Sequence, residues 1–171
     1  IGKFRHSSAA DLFVATKLGR RGIYPDKYTE ATICAATEES LRRLQMDALD
    51  LTQLHCIPSE ILRQGDVFDW LRTLKAEGKI KRFGASVESI EEAHLCLKQD
   101  GLASLQIIFN IFRQKPIADL FEAAKAKSVA LIVRLPLASG LLGGKLTKQS
   151  RFAEGDHRNY NRDGRFFSHF L

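Results

Sequence analysis

Ala130-Leu131-Ile132-Val133-Arg134-Leu135-Pro136-Leu137 is an apolar run with a single charge, and Ala138-Ser139-Gly140-Leu141-Leu142-Gly143-Gly144-Lys145 follows it as a glycine-rich turn. A strand with one wet face alternates apolar and polar residues. This run does not alternate, so it reads as a strand buried on both faces. Four earlier runs have the same nearly continuous apolar character, at residues 12–18, 48–55, 80–86 and 105–112. Strands of that kind belong to a parallel sheet covered by helices.

Helical periodicity fills the gaps. A helix is predicted over 26–44, with Ala31, Cys34, Ala35 and Leu41 on one side. A second starts at Asp66 as N-cap, stops at Gly78, and carries Val67, Trp70, Leu71 and Leu74 on its apolar face. A third opens with Ser89 and Glu92 at capping-box spacing and ends near Gly101. A fourth has Pro116 in its first turn, then Ile117, Leu120, Phe121 and Ala124. Strand and helix alternate as repeated βαβ units, which makes the fold α/β, with about five parallel strands alternating with helices. Such units build either an open doubly wound sheet or a closed (β/α)₈ barrel. Leu18-Gly19-Arg20-Arg21-Gly22 lacks the G-x-G-x-x-G spacing of the open sheet. Five strands in 171 residues fall short of a barrel, which takes about 250. Pattern alone leaves an open sheet or part of a barrel.

Composition narrows the classes. Hydrophobic residues make up 44% of the chain and eleven are Phe, which excludes general disorder. No apolar stretch approaches the roughly 20 residues of a membrane helix, so no membrane partner is expected. Ile1-Gly2-Lys3-Phe4-Arg5-His6 leads into polar residues, so no signal peptide is expected. Cys34, Cys56 and Cys96 are odd in number and fit no metal spacing. They read as reduced thiols of a cytoplasmic protein without a metal site. The net charge of +6 suits an anionic ligand such as a phosphorylated cofactor, and equally non-specific nucleic-acid contact. Residues 1–146 read as one continuous unit and 147–171 as a polar, basic loop of the same domain with one short helix, carrying Arg151, Arg158, Arg162 and Arg165.

Polar residues at the C-terminal ends of strands face the active site in α/β folds. Lys17 lies near the end of the first run, and His55 and Ser86 end the second and third. Singly each has an ordinary explanation: a solvated charge, a hydrogen-bonded core edge, a helix cap. At successive ends of one sheet they form a candidate site. The turn after the fifth run is suited to a pyrophosphate through its backbone N–H groups. It is no P-loop, because Leu146 stands where Ser or Thr is required.

Six stretches, in order and at matching spacing, resemble the aldo-keto reductase family. They are Ala15-Thr16-Lys17, Ser40-Leu41-Arg42-Arg43-Leu44, Asp50-Leu51-Thr52-Gln53-Leu54-His55, Gly78-Lys79-Ile80 with Gly84-Ala85-Ser86, Gln106-Ile107-Ile108-Phe109-Asn110, and Pro136-Leu137-Ala138-Ser139-Gly140-Leu141-Leu142. The tail from Asp156 to Gly164 resembles a bacterial subgroup. The resemblance implies a (β/α)₈ TIM barrel, here a partial one. It implies NADPH, less often NADH, as cofactor, a small-molecule carbonyl substrate, and no nucleic acid partner. It leaves oligomeric state open. The family tetrad is Asp, Tyr, Lys and His. Lys17 matches the Lys and His55 the His. Ser86 and Gln106 match residues holding the nicotinamide carboxamide. Leu137, Ser139, Gly140 and Leu141 match the pyrophosphate loop, and Arg134 stands where many members carry an aromatic that stacks on the nicotinamide. Val87 stands where many carry Asn.

Tyr24, Tyr28 and Tyr160 lie outside the tetrad context. The expectation is therefore a fragment holding strands three to seven of eight, without the tetrad Asp and Tyr and inactive by itself. A non-catalytic binding or regulatory subunit of the same fold is the alternative. A barrel enzyme of another class with a phosphate site after its seventh strand is a third reading. Gln106 lies early in its apolar run and is expected deeper in the barrel than Ser86.

Overall fold

The computed structural model describes residues 1–7 and 12–159. A short helix α1 (Gly2–Ser7) precedes β1 (Ala15–Leu18), α2 (Glu30–Leu44), β2 (Leu51–His55), α3 (Ser59–Gln64) and α4 (Asp66–Ala76). Then come β3 (Phe83–Ser86), α5 (Ile90–Leu97), β4 (Leu102–Ile108), α6 (Lys115–Asp119), α7 (Phe121–Ala126) and β5 (Ala130–Arg134). The strands form one sheet in sequence order, and all four pairings are parallel. An order that never reverses lacks the switch point of a doubly wound sheet and describes an arc of a barrel.

Register decides which side chains share a face. Leu18, Leu54, Ala85 and Leu105 stand side by side across β1 to β4. All are buried, in one core with Ile33 of α2, Phe68 and Leu71 of α4, Cys96 of α5 and Ala124 of α7. Each large apolar side chain so buried is worth about 1.5–3 kcal/mol. Alternation along the strands turns the neighbouring rows, Lys17-Gln53-Gly84-Ser104 and His55-Ser86-Gln106, to the inner face away from the helices. At the opposite, N-terminal end of the sheet, buried Asp50 accepts the Val14 N–H at 2.9 Å and pairs with Lys81 at 2.8 Å.

Several boundaries differ from those read in the sequence. Strand β4 starts at Leu102 and ends at Ile108, so Gln106 lies near its C-terminal end, level with Ser86, and not deeper. Phe109 packs edge-to-face on Phe121 of α7 at 5.1 Å, on the helix side of the sheet. Helix α2 starts at Glu30, because Thr29 caps it and exchanges hydrogen bonds with Thr32. Asp66 is the first residue of α4, not its cap; Gly65, at φ 90°, closes α3 and opens α4 together. The 59–64 stretch forms a helix that no periodicity announced. Ser89 caps α5 by accepting the Glu92 N–H, but the Glu92 carboxylate takes the N–H of Glu88 and the hydroxyl of Ser59. The fourth predicted helix breaks at Leu120 into α6 and α7. Beyond β5, residues 147–159 make turns and a single 3-10 turn at His157–Asn159. Tyr160, Arg162 and Arg165 lie outside the described residues.

Candidate functional site

The C-terminal strand ends give the inner face a polar rim. His55 ends β2, half-buried and in register with Ser86 at the end of β3, which is in register with Gln106 of β4. The Ser86 hydroxyl donates to Gln106 Oε1 at 3.4 Å. One row down, the Gln53 amide donates to the Ser104 hydroxyl at 3.3 Å across Gly84, whose missing side chain leaves the path open. A Cβ at Gly84 would collide with Ser104 Oγ and the Ser104 carbonyl. Lys17, on the same face and two residues before the row of His55, is exposed.

Two residues without an assigned role extend this rim. Cys56 follows His55 with a left-handed backbone, φ 47°. Its sulfur lies 3.5 Å from the Ser86 hydroxyl, and Arg134 Nη1 donates to it at 3.6 Å. Arg134 ends β5, so its guanidinium spans from the fifth strand to the end of the second. It also pairs with Glu88 at 3.5 Å. The sequence marks Cys56 only as a reduced thiol and gives Glu88 no motif. The signal available was positional: each directly follows or nearly follows a strand-end residue.

The charges around His55 are of one sign. Burial pushes its pKa below the ordinary 6.5, and Lys17, Arg20 and Arg134 push it further in the same direction. The imidazole is therefore neutral at pH 7, with one N–H to donate and one nitrogen to accept. Burial pushes the Cys56 thiol up, against opposing effects of Ser86 and Arg134, so it stays protonated. Tyr28 is no acid near neutrality. Its hydroxyl donates to the Gly19 carbonyl at 2.7 Å, and burial raises its pKa to about 12. Tyr24 lies under the Arg20 guanidinium, 4.3 Å from ring centre to Cζ.

Leu137, Ser139, Gly140 and Leu141 are not at the strand ends themselves. They occupy the loop past β5, in and beside a kinked 3-10 turn at Ala138–Gly143. Ala138, Ser139 and Gly140 are left-handed in succession, with φ 47°, 57° and 96°. Leu137 and Leu141 are exposed. Val87 is buried and gives its N–H to the Gln106 carbonyl at 3.0 Å. Among the described residues no cluster of His, Cys, Asp or Glu is arranged to hold a metal ion, and no helix is long and apolar enough to cross a membrane.

The model of the Aldo/keto reductase family matches residues 1–170. Aldo-keto reductase YhdN of Bacillus subtilis is 30% identical over 131 residues, which are 77% of this chain and 39% of that protein. A glycerol dehydrogenase of Gluconobacter oxydans superposes with a TM-score of 0.79 at 27% identity, over 95% of this chain and 52% of that one. An aldo/keto reductase of Klebsiella pneumoniae, crystallised with NADP and acetate, superposes at 0.68 and 27% identity, over 96% of this chain and 55% of that one. The chain thus spans roughly half the length of the proteins it matches.

Proposed function

Because the chain belongs to the aldo/keto reductase family, we propose that it carries the lysine, histidine and carboxamide-holding side of a site that reduces an aldehyde or ketone to an alcohol with NADPH, less often NADH. The observation that carries this reading is the single row His55-Ser86-Gln106 at the strand ends, with Lys17 on the same face.

The residues present fit the cofactor. Ser86 and Gln106 together offer donors and acceptors to a carboxamide, and their mutual bond of 3.4 Å is long enough to be replaced easily. The Ala138 and Gly140 N–H groups close turns on the Leu135 and Leu137 carbonyls, and the left-handed Ser139 between them would meet an anion such as a pyrophosphate with its backbone and hydroxyl. When bound, NADPH supplies the hydride. The neutral His55 donates its N–H to the substrate oxygen and aligns the carbonyl. As negative charge grows on that oxygen, the N–H and the positive field of Lys17, Arg20 and Arg134 stabilise it. A proton must then reach the alkoxide from an acid. In the family this is a phenol acidified by the lysine ammonium. Tyr28 does not fill that role, since its hydroxyl is spent on Gly19, and Tyr24 lies with its ring against Arg20, outside the row of His55, Ser86 and Gln106. In this reading the described residues by themselves are expected to give no turnover. The same observation favours, as second reading, a cofactor-binding subunit without turnover.

One pair of measurements separates them: NADPH fluorescence titration and NADPH oxidation with 4-nitrobenzaldehyde, both on the full-length protein. Binding with turnover is expected for the reductase. Binding without turnover selects the second reading, and no binding overturns both.

A further inference from the structure

Asn110 is a buried polar residue that the site chemistry leaves unused, and its amide joins two loops. Its Oδ1 accepts the Phe112 N–H at 3.0 Å, and its Nδ2 donates to the Leu135 carbonyl at 3.0 Å. The orientation of the amide is unambiguous, because one partner is a donor only and the other an acceptor only. Leu135 follows β5 directly and is left-handed, φ 57°. Its carbonyl also accepts the Ala138 N–H at 3.0 Å, closing the first turn of the 135–144 loop. The Leu137 carbonyl then accepts the N–H groups of Gly140 and Leu142, at 2.9 and 3.2 Å. The shape of the loop thus hangs on two carbonyls in succession, and Asn110 grips the first. Asn110 is 7% exposed, so releasing either bond leaves a polar group buried without water.

We propose that Asn110 is a positioning residue for cofactor binding: it fixes the 135–144 loop against the end of β4, so that Ser139 meets the pyrophosphate at a set distance from Ser86 and Gln106. This rests on the NADPH reading above. Asn110 touches neither substrate nor cofactor. It ties the loop assigned to one end of the cofactor to the strand assigned to the other.

The test is Asn110→Asp in the full-length protein. The carboxylate keeps the acceptor for Phe112 but has no N–H for Leu135, and sets negative charge against that carbonyl. Amides of residues 136–144 are expected to exchange with deuterium about tenfold faster, and NADPH to bind about tenfold more weakly, as loss of one buried hydrogen bond implies. Amides of β4 and β5 keep their protection, and kcat at saturating NADPH stays within about twofold, because no group at the reacting atoms changes. Asn110→Ser is the second variant, short of Leu135 but able to accept from Phe112, and is expected to show the same pattern if the aspartate fails to fold. Faster exchange spread evenly over β4 and β5 would make Asn110 a general core residue and overturn the proposal. So would unchanged NADPH affinity in either variant. A wild-type protein that binds no NADPH fails the cofactor reading itself, whereas normal NADPH binding by wild type and variants alike fails only the role of Asn110.

Discussion

His55 shows how a single ionisation is set by placement. Burial is the largest cause of its depressed pKa, and Lys17, Arg20 and Arg134 add to it. An unfolded chain would titrate the same imidazole near 6.5. Between the depressed folded value and 6.5 the unfolded state binds more protons than the folded one. The stabilisation of the neutral imidazole is therefore complete above 6.5 and lost as pH falls through the folded pKa. Lys17→Met is expected to raise the His55 pKa, because it removes one positive neighbour. It should not restore 6.5, because burial remains. Titration of the imidazole resonances by NMR measures this directly, and a pKa that falls or stands still in the variant would show that Lys17 does not act on His55. A Lys17 that merely points into solvent predicts no shift, so the result also separates the site from an ordinary surface charge.

At the scale of strands, the site depends on how closely β3 and β4 approach. Gly84 faces Ser104 where the register shifts between Phe83 and Gly84, and a methyl group there has no space. Gly84→Ala should cost about 1–3 kcal/mol, the usual range for overpacking. It should also part Ser86 from Gln106, weakening NADPH binding beyond any loss of stability. Denaturant midpoints and NADPH titration read the two effects separately. Normal stability in the variant would mean that the strands accommodate the methyl group. The sequence made the strands legible through their unbroken apolar runs, and the strand-end residues through position. It misplaced Gln106 because Leu102, Ala103 and Ser104 look like the end of a turn after Gly101, while Phe109, Ile111 and Phe112 look like more strand. Pairing with β3, not local character, decides where β4 begins. It missed α3 for a related reason. Six residues are too few to show a period, and that helix is held by Pro58 and Gly65 at its ends and by Ser59 bonding Glu92. The contacts of Arg134 with Cys56 and Glu88, and of Asn110 with Leu135, were invisible because each joins strands or loops far apart in sequence.

Among the described residues the sheet is covered by helices on one face and has two edges, at β1 and β5. Its helix-side core buries Phe68, Phe83, Leu54, Leu71, Leu105 and Ile107 completely. That much apolar surface drives collapse and holds the helices on the sheet. The sheet itself ends at β1 and β5, and neither has a further strand beside it among the described residues. Unpaired parallel edges template association with other chains, and a barrel is stable partly because it has none. Along β5 the edge is apolar, with Val133 40% exposed and Ile132 half-buried on the inner face. Where the inner face meets solvent it is polar, with Lys17 exposed and His55 half-buried, so its exposure costs less than the exposure of the edges. The 171-residue chain by itself is therefore expected to be helical by circular dichroism but to unfold over a broad range and to associate. Sedimentation at several concentrations measures the association, and calorimetry the breadth of the transition. A monomer with a sharp, concentration-independent transition would refute the argument from edges. Under the proposed reading activity follows a separate logic, because the Tyr28 hydroxyl is committed to Gly19 and the lowered pKa of His55 leaves it neutral at pH 7. The isolated chain should leave NADPH unoxidised in the presence of 4-nitrobenzaldehyde, and turnover that disappears with Lys17→Met would show that a complete acid site is already present within it.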